Sequence, residues 1–433
     1  MASCTWRQRC SAGKLIVILV AVIVVLQVVH LVLLSRVDAR GNRDDAKKVK
    51  PPHSVKKPLH TKTKFSEVGL DSSGNYQVYR FLVASEKITK GVIIKDDVTI
   101  VTQCSLNRLH HVLSLVERWN GPISVAIFSA KPNITSIFIV ITHLRQCFPK
   151  IRSAVSFHLV SPLREMKETQ ELVGFSFSNE ETDTNIPCDQ VLPWMRGFGQ
   201  MEENYAVQDV PYPNNLLRNV AWHGSATEYI LVMDIDMLPS GELRHQFKEF
   251  ILTKKQSMQW EIEESPNLVY VLPVFEINER IPVFPSTRNE LIDLWEREQV
   301  RQFYQEMCEK CQTHTDYIKW RNLHSVSSGK LNIAYEVEWM SPWEPLYIAN
   351  RNIPKYDERF KQYGFNRISQ VCEVHISGYN FAIMDNAFIL HKGFKTPSDF
   401  HSQKDEENVQ NKLLYTQFKE ELTIKYPEAV RQC

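Results

Sequence analysis

The feature that most constrains the fold is a strand–helix–strand pattern between residues 98 and 129 of this 433-residue chain. A β-branched run at 98–103 and an apolar run at 123–129 are both typical of buried strands. Between them, apolar residues recur at the spacing of one helix face: Leu106, Leu109, Val112, Leu113 and Val116. Because such units are right-handed crossovers between parallel strands, the pattern predicts an α/β fold with a mostly parallel central sheet.

Further along the chain, other segments extend this pattern. Apolar runs at 155–160, 229–233 and 268–272 predict more strands. Thr287 and Glu290 have the spacing of a capping box, which predicts the start of a helix. Near the C-terminus, apolar residues mark an amphipathic helix that we expect to dock on the body: Val409, Leu413, Leu414, Phe418 and Leu422.

An apolar run of 20 residues, 15–34, precedes the folded body. As a helix it would reach about 30 Å, the thickness of a bilayer's hydrocarbon core. We expect an uncleaved transmembrane signal anchor, with a cleaved signal peptide as the alternative. The chain then divides into a cytoplasmic tail (1–14), the anchor (15–34), a flexible stem (35–68) and a lumenal catalytic body (69–433). Asn133 begins a glycosylation triplet, which also favours a lumenal body.

Composition excludes some classes of protein. With 51 basic and 50 acidic residues the formal charge is +1, which argues against a general nucleic-acid binder. Seven of the nine cysteines follow the apolar run. In an oxidising lumen we expect disulfides among them, and the odd number leaves at least one unpaired unless a bridge forms between chains. Cys308 and Cys311 also have zinc-knuckle spacing, but no second pair completes four ligands.

Candidate chemistry is concentrated where a strand ends. Asp234 and Asp236 directly follow the run at 229–233. Residues i and i+2 of a strand point the same way, so this placement predicts that both carboxylates share a divalent cation; the alternative is a solvated strand-to-loop junction. His391 follows another apolar run and adds an imidazole, which suits Mn²⁺ better than Ca²⁺. Lys392 and Lys395 come next and could pair with phosphates or lie on a surface loop.

Several longer motifs resemble the LARGE-type glucuronyltransferases: 98–108, 119–124, 212–219, 234–237, 342–345, 356–360, 363–367 and 391–394. The resemblance covers the body from about residue 69. It implies a GT-A fold, a single-pass type II protein of the Golgi membrane, and complexes with other Golgi glycosyltransferases. The implied metal ligands for Mn²⁺ are Asp234, Asp236 and His391, and Lys392 and Gly393 join Asp234 as donor-binding residues.

The implied reaction transfers glucuronic acid from UDP-glucuronic acid to a xylose-terminated acceptor in β-1,4 linkage, on the O-mannosyl glycan of α-dystroglycan, priming further extension. Since an α-linked donor gives a β-linked product, the reaction inverts once and needs one general base. Glu344 is the candidate base because flanking tryptophans should raise its proton affinity; Asp357 and Glu358 are the alternatives. Trp343 is the candidate acceptor contact.

Three more residues are candidate donor contacts. Arg218 precedes the metal strand and could pair with the donor carboxylate, or form a surface ion pair instead. Thr102 and Gln103, at the end of the first parallel strand, are placed to contact the uridine. Two other functions remain open: an N-acetylglucosaminyltransferase extending poly-N-acetyllactosamine, and a non-catalytic Golgi lectin or escort protein.

Overall fold

The computed structural model describes Gln27 and residues 67–89, 91–130, 134–163, 186–201, 210–257, 267–323 and 329–433. The predicted tail, the anchor at 15–34 apart from Gln27, the stem up to residue 66, and Asn133 lie outside the described residues. Within the described part, no helix is both long and apolar enough to cross a membrane.

The strands, in chain order, are β1 (Glu67–Leu70), β2 (Tyr76–Val83), β3 (Ile94–Ser105), β4 (Ile123–Phe128), β5 (Val155–Pro162), β6 (Thr227–Val232), β7 (Met237–Pro239), β8 (Leu268–Leu272), β9 (Val274–Ile277), β10 (Val300–Gln302), β11 (Ile333–Val337), β12 (Leu346–Asn350), β13 (Asn380–Met384) and β14 (Ile389–Lys392). The α-helices are α1 (Val112–Trp119), α2 (Ile134–Cys147), α3 (Pro149–Ala154), α4 (Val191–Met201), α5 (Asn214–His223), α6 (Leu243–Ser257), α7 (Arg288–Glu296), α8 (Tyr317–Arg321), α9 (Ile368–Ile376) and α10 (Lys404–Lys425).

The larger sheet in the described part of the chain has the order β1-β2-β5-β4-β3-β6-β12-β8-β13-β11. Strands β5, β4, β3 and β6 run parallel, as the strand–helix–strand pattern predicts. The expectation of a mostly parallel sheet is wrong beyond β6, because β12 lies antiparallel between β6 and β8. Parallel pairing returns only at β8–β13. The sheet is therefore mixed.

Apolar side chains cover both faces of this sheet. In β3, Ile100 packs into one buried cluster while the next residue, Val101, packs into the other. On the first side lies Leu115 of α1, and on the second lies Leu217 of α5. A sheet covered on both faces needs strands that are apolar throughout, which explains the unbroken runs in the sequence.

The second sheet, within the described residues, has the order β10-β9-β14-β7. It brings the residues around His391 to those after β6, since His391 pairs with Met237 across β14 and β7. The apolar runs on either side of Asp385 belong to different sheets, because β13 pairs with β8 while β14 pairs with β7 and β9. This crossing between sheets delivers His391 to the neighbourhood of Asp236.

At α7 and α10 the predicted helix details have different outcomes. The capping box of Thr287 and Glu290 is present at the start of α7. Helix α10 docks through Phe418 and Leu422 as expected, but Val409 and Leu413 are 60% and 70% exposed. The first half of α10 instead packs with polar residues, as where Asn411 donates to the Lys361 and Tyr363 carbonyls at 2.8 and 2.7 Å. An apolar stripe alone could not indicate this polar contact.

Six of the seven described cysteines form disulfides and one is free, as their odd number requires. Three disulfides form: Cys147–Cys188, Cys308–Cys311 and Cys372–Cys433. Cys104 is the free cysteine of the described residues, and it is buried. The expectation of disulfides with one cysteine left over is confirmed, and the zinc alternative for Cys308 and Cys311 is wrong.

Candidate functional site

Asp234 and Asp236 lie in a turn between β6 and β7, closed by the Met237 amide donating to the Asp234 carbonyl at 3.1 Å. Because β6 already ends at Val232, the strand rule that would align the two carboxylates does not apply. Their neighbours differ: Asp234 pairs with arginines and Asp236 with His391. In the described residues, no group of three His, Cys, Asp or Glu side chains is placed to hold one metal ion, so the predicted three-ligand set is not assembled.

Asp236 and His391 form a pair with the chemistry of metal ligands. The His391 Nε2 lies 3.7 Å from an Asp236 carboxylate oxygen, and its Nδ1 lies 3.0 Å from the Gly393 carbonyl. A carbonyl only accepts, so Nδ1 carries a proton, and Nε2 is the ring nitrogen that faces the carboxylate. An imidazole nitrogen beside a carboxylate, with a backbone carbonyl fixing the ring, is a set of side chains that fits a divalent cation.

Positive charge around Asp236 stabilises its ionised form. Burial raises the pKa of Asp236, but the interaction with His391 and the charge of Lys395 outweigh it and hold this pKa well below its usual range. Asp236 therefore stays a carboxylate throughout the physiological pH range, as a cation ligand must.

Beside this pair lies a cavity of about 860 Å³ lined by Asp236, His391, Lys392 and Gly393. Most other charged side chains along its wall are basic: Arg108, Arg196, Arg280 and Lys395. Gly393 adopts a φ of 88°, in the left-handed region, which lets the backbone turn after β14. The structure thus places Lys392, Gly393 and Lys395 together in a cationic cavity suited to a diphosphate.

His111 lines the same cavity and was missed by reasoning from the sequence. Its Nε2 is buried and has no hydrogen-bond partner among the described residues. Burial, aided by His110, lowers the pKa of His111 to about 4, so this imidazole is neutral. Two adjacent histidines in the turn after the first parallel strand were the available signal.

Two arginines surround Asp234. Arg367 lies just before α9 and its Nη2 is 2.6 Å from the Asp234 carboxylate, while Nη2 of Arg218 is 3.8 Å away. Arg367 lies inside the 363–367 motif but carried no predicted role. Nothing in its local sequence pattern shows which way its side chain faces.

Arg218 is more enclosed than expected for a donor contact. Its side chain is 5% exposed and its Nη1 donates to the Asn215 and Asn366 side-chain oxygens, each at 2.8 Å. The alternative of a surface ion pair is wrong, since the guanidinium is buried. Arg218 is instead placed to hold the side chains of Asp234 and Asn366 in position.

Glu344 lies near the ion cluster formed by Asp234, Arg218 and Arg367. Burial raises the pKa of Glu344, with Arg367 and Arg218 opposing. Its backbone is fixed because its amide donates to the Cys311 carbonyl at 2.9 Å and its carbonyl accepts from Gln312 at 3.2 Å. Within the described residues its carboxylate accepts no hydrogen bond. A raised pKa and an unbonded carboxylate suit a general base.

The alternative bases have other partners. Asp357 accepts from the Arg359 guanidinium at 2.6 Å, and Glu358 accepts from Asn219 at 2.9 Å. Of the three candidates, Glu344 is therefore the one whose carboxylate is not already bound to a neighbouring side chain.

Trp343 is wholly buried, and its Nε1 donates to the Thr315 hydroxyl at 3.0 Å. Its predicted role as an acceptor contact is wrong in this structure, because the indole presents no open face on which a sugar could stack. Trp339 is also buried and donates to the Trp343 carbonyl at 2.9 Å.

Thr102 and Gln103 are not placed together. Thr102 is fully buried, whereas Gln103 is partly exposed and accepts a hydrogen bond from the Tyr212 hydroxyl. Successive residues of a strand point to opposite faces, so both side chains cannot contact one uridine. Burial makes the predicted contact wrong for Thr102 and leaves Gln103 as the candidate.

Known proteins similar to this chain are glycosyltransferases. Residues 97–427 match the family described as "Glycosyl-transferase for dystroglycan". The chain is 39% identical to a Danio rerio protein named beta-1,4-glucuronyltransferase 1, with 98% of this chain and 99% of that protein covered. It is 40% identical to the Homo sapiens protein of the same name, with 84% of this chain and 83% of that protein covered.

Among solved structures, Staphylococcus aureus TarS 1–349 in complex with UDP-GlcNAc is similar at 10% sequence identity. The match covers 78% of this chain and 68% of that chain, with a TM-score of 0.37. A likeness this weak supports no statement about ligands.

Proposed function

The chain belongs to the family of glycosyl-transferases for dystroglycan, and from this we propose that it is an inverting β-1,4-glucuronyltransferase. It would move glucuronic acid from UDP-glucuronic acid to a xylose-terminated acceptor on the O-mannosyl glycan of α-dystroglycan, priming further extension. The observation that carries the proposal is the Asp236–His391 pair beside a cavity rich in basic side chains, within a chain similar along nearly its whole length to proteins of that name.

We assign the fold to the GT-A type and the cation to Mn²⁺. Asp236 and His391 would hold the ion, and an imidazole with a carboxylate suits Mn²⁺ better than Ca²⁺. When bound, such a cation acts as a Lewis acid that neutralises the charge developing on a leaving diphosphate. Asp234 is not part of this pair in the structure and serves the arginine cluster instead.

The chain's own residues supply the rest of the reaction. Lys392 and Lys395 face the cavity and pair with phosphate oxygens, adding charge stabilisation to that of the cation. Glu344 removes the proton from the attacking acceptor hydroxyl, since its raised pKa brings its basicity closer to neutral pH. Single inversion requires no covalent intermediate, so one base suffices.

The cellular placement is part of the same proposal. Residues 15–34 would anchor the chain in the Golgi membrane as a single-pass type II protein with a lumenal body, where it would form complexes with other glycosyltransferases. Glycosidase-sensitive mass that disappears in the Asn133→Gln variant would support the lumenal orientation; a glycan-free wild-type chain from secretory cells would count against it.

Purified full-length protein with Mn²⁺, UDP-glucuronic acid and a β-xyloside tests the reaction. We expect a β-1,4-linked glucuronide by NMR. A product in α configuration would exclude single inversion. Transfer only from UDP-N-acetylglucosamine would favour the N-acetylglucosaminyltransferase alternative, and glycan binding without transfer would favour a lectin.

A further inference from the structure

Resting on the proposed function, we infer that Arg367 binds the carboxylate of the donor's glucuronic acid and selects it over neutral sugars, while Arg218 only positions this cluster. Both arginines lie near Asp234, yet their surroundings differ. That difference decides which one can reach a ligand.

Arg367 has hydrogen-bonding capacity to spare. A guanidinium carries five N–H donors, and among the described residues the Arg367 guanidinium forms one ion pair, from Nη2 to Asp234. The Arg367 side chain is 16% exposed, and none of its nitrogens is among the buried unpaired atoms of the described chain. The unused donors are therefore reachable from solvent, held on a side chain that Asp234 fixes in direction.

Arg218 has less of this capacity. Its Nη1 is already shared between Asn215 and Asn366, its side chain is 5% exposed, and it lies against the Tyr356 ring at 5.3 Å. It can hold Asp234 and the residue before Arg367, and its smaller exposure makes it less accessible to a donor than Arg367.

The charge balance points to an anionic ligand. Two guanidinium groups share Asp234 as the carboxylate within 4 Å in the described residues. Glu344 is near enough to interact with both, and burial raises its pKa. A donor carboxylate would balance the second arginine, and the planar guanidinium matches its two oxygens. The hydroxymethyl group of glucose offers neither the charge nor the geometry.

The test compares UDP-glucuronic acid with UDP-glucose, which differ only at the sugar C6, in full-length wild type and Arg367→Gln. We expect kcat/KM for UDP-glucuronic acid to fall about ten- to a hundredfold, the value of one charge-assisted hydrogen bond, with UDP-glucose nearly unchanged. Arg367→Lys keeps the charge without the fork and should give an intermediate ratio. Arg359→Gln, at an exposed ion pair with Asp357 and Glu421, is the matched control and should leave the ratio unchanged.

Calorimetric affinity for UDP alone separates selectivity from damage to the site, and we expect it to be the same in wild type and Arg367→Gln. If the variant loses both donors equally, or if the Lys variant matches Gln while UDP binding is retained, Arg367 does not recognise the carboxylate. A wild-type protein that does not use UDP-glucuronic acid would overturn the proposed function itself. A wild type that uses this donor, with selectivity unchanged in Arg367→Gln, would overturn only the inference about Arg367.

Discussion

Asp234 and Asp236 are separated by one residue, yet they belong to two different electrostatic environments. Asp236 faces an imidazole across 3.7 Å and opens onto a cavity with several basic side chains. Asp234 is held by a guanidinium at 2.6 Å, with a second one behind it. Asp236 therefore has a carboxylate that can bind a cation, whereas the charge of Asp234 is balanced by arginines of the protein itself.

The two aspartates are therefore not a symmetric clamp. The chain leaves β6 at Val232, so the residues between β6 and β7 follow a turn and not a pleat. A turn lets neighbouring side chains face apart, so Asp234 lies with the arginines while Asp236 lines the cavity. Replacing each acid by its amide tests this distinction.

The largest effect should come from Asp236→Asn. A unit-charge pair at 4 Å is worth about 4 kcal/mol at an effective dielectric of 20, so we expect kcat/KM to fall about a thousandfold. We also expect Mn²⁺ to raise the melting temperature of the wild type and to leave that of Asp236→Asn unchanged. Glu279→Gln, in the same cavity wall, is the control and should keep most activity. Retention of the Mn²⁺ shift in Asp236→Asn would refute the assignment.

Next comes Glu344→Gln, which removes the candidate base while leaving the cation side intact. We expect kcat to fall about a hundredfold or more. A base acts when deprotonated, so wild-type kcat should rise with pH through the raised pKa of Glu344, and the variant should lose this acid limb. An unchanged limb in the variant would transfer the role to another group. Asp357→Asn, which changes a carboxylate that is bound to Arg359, is the comparison variant.

The third prediction concerns Asp234→Asn and separates stability from metal binding. Removing this carboxylate leaves Arg367 and Arg218 without their shared partner, which we expect to cost about 1–3 kcal/mol of unfolding free energy, reduced by the partial exposure of Asp234. Urea denaturation measures the loss. The Mn²⁺ shift should persist, in contrast to Asp236→Asn, and its disappearance would show that both acids bind the cation.

Local patterns predicted what depends on local physics. The β3–α1–β4 unit follows from apolar periodicity, and the capping box from three residues of spacing. The partner of Asp236 was also foreseen, although His391 lies far along the chain, because a family motif marked it.

What the sequence could not indicate was direction. Whether Arg367 faces Asp234, or Trp343 faces solvent, depends on pairing between distant strands and helices. The antiparallel insertion of β12 likewise needs contacts that no single segment contains. Residue type suggested a sugar platform at Trp343, but the fold uses the indole as core.

The smallest effect should come from Trp343→Phe, which tests that last correction. Loss of the hydrogen bond to Thr315 and of packed volume should lower the unfolding free energy by about 1–3 kcal/mol. A double-mutant cycle with Thr315→Val should isolate a coupling of about 1 kcal/mol for that bond. Because Trp343 is wholly buried, the KM for the acceptor should not change. A several-fold rise in that KM at full stability would return Trp343 to the acceptor wall, beside Glu344.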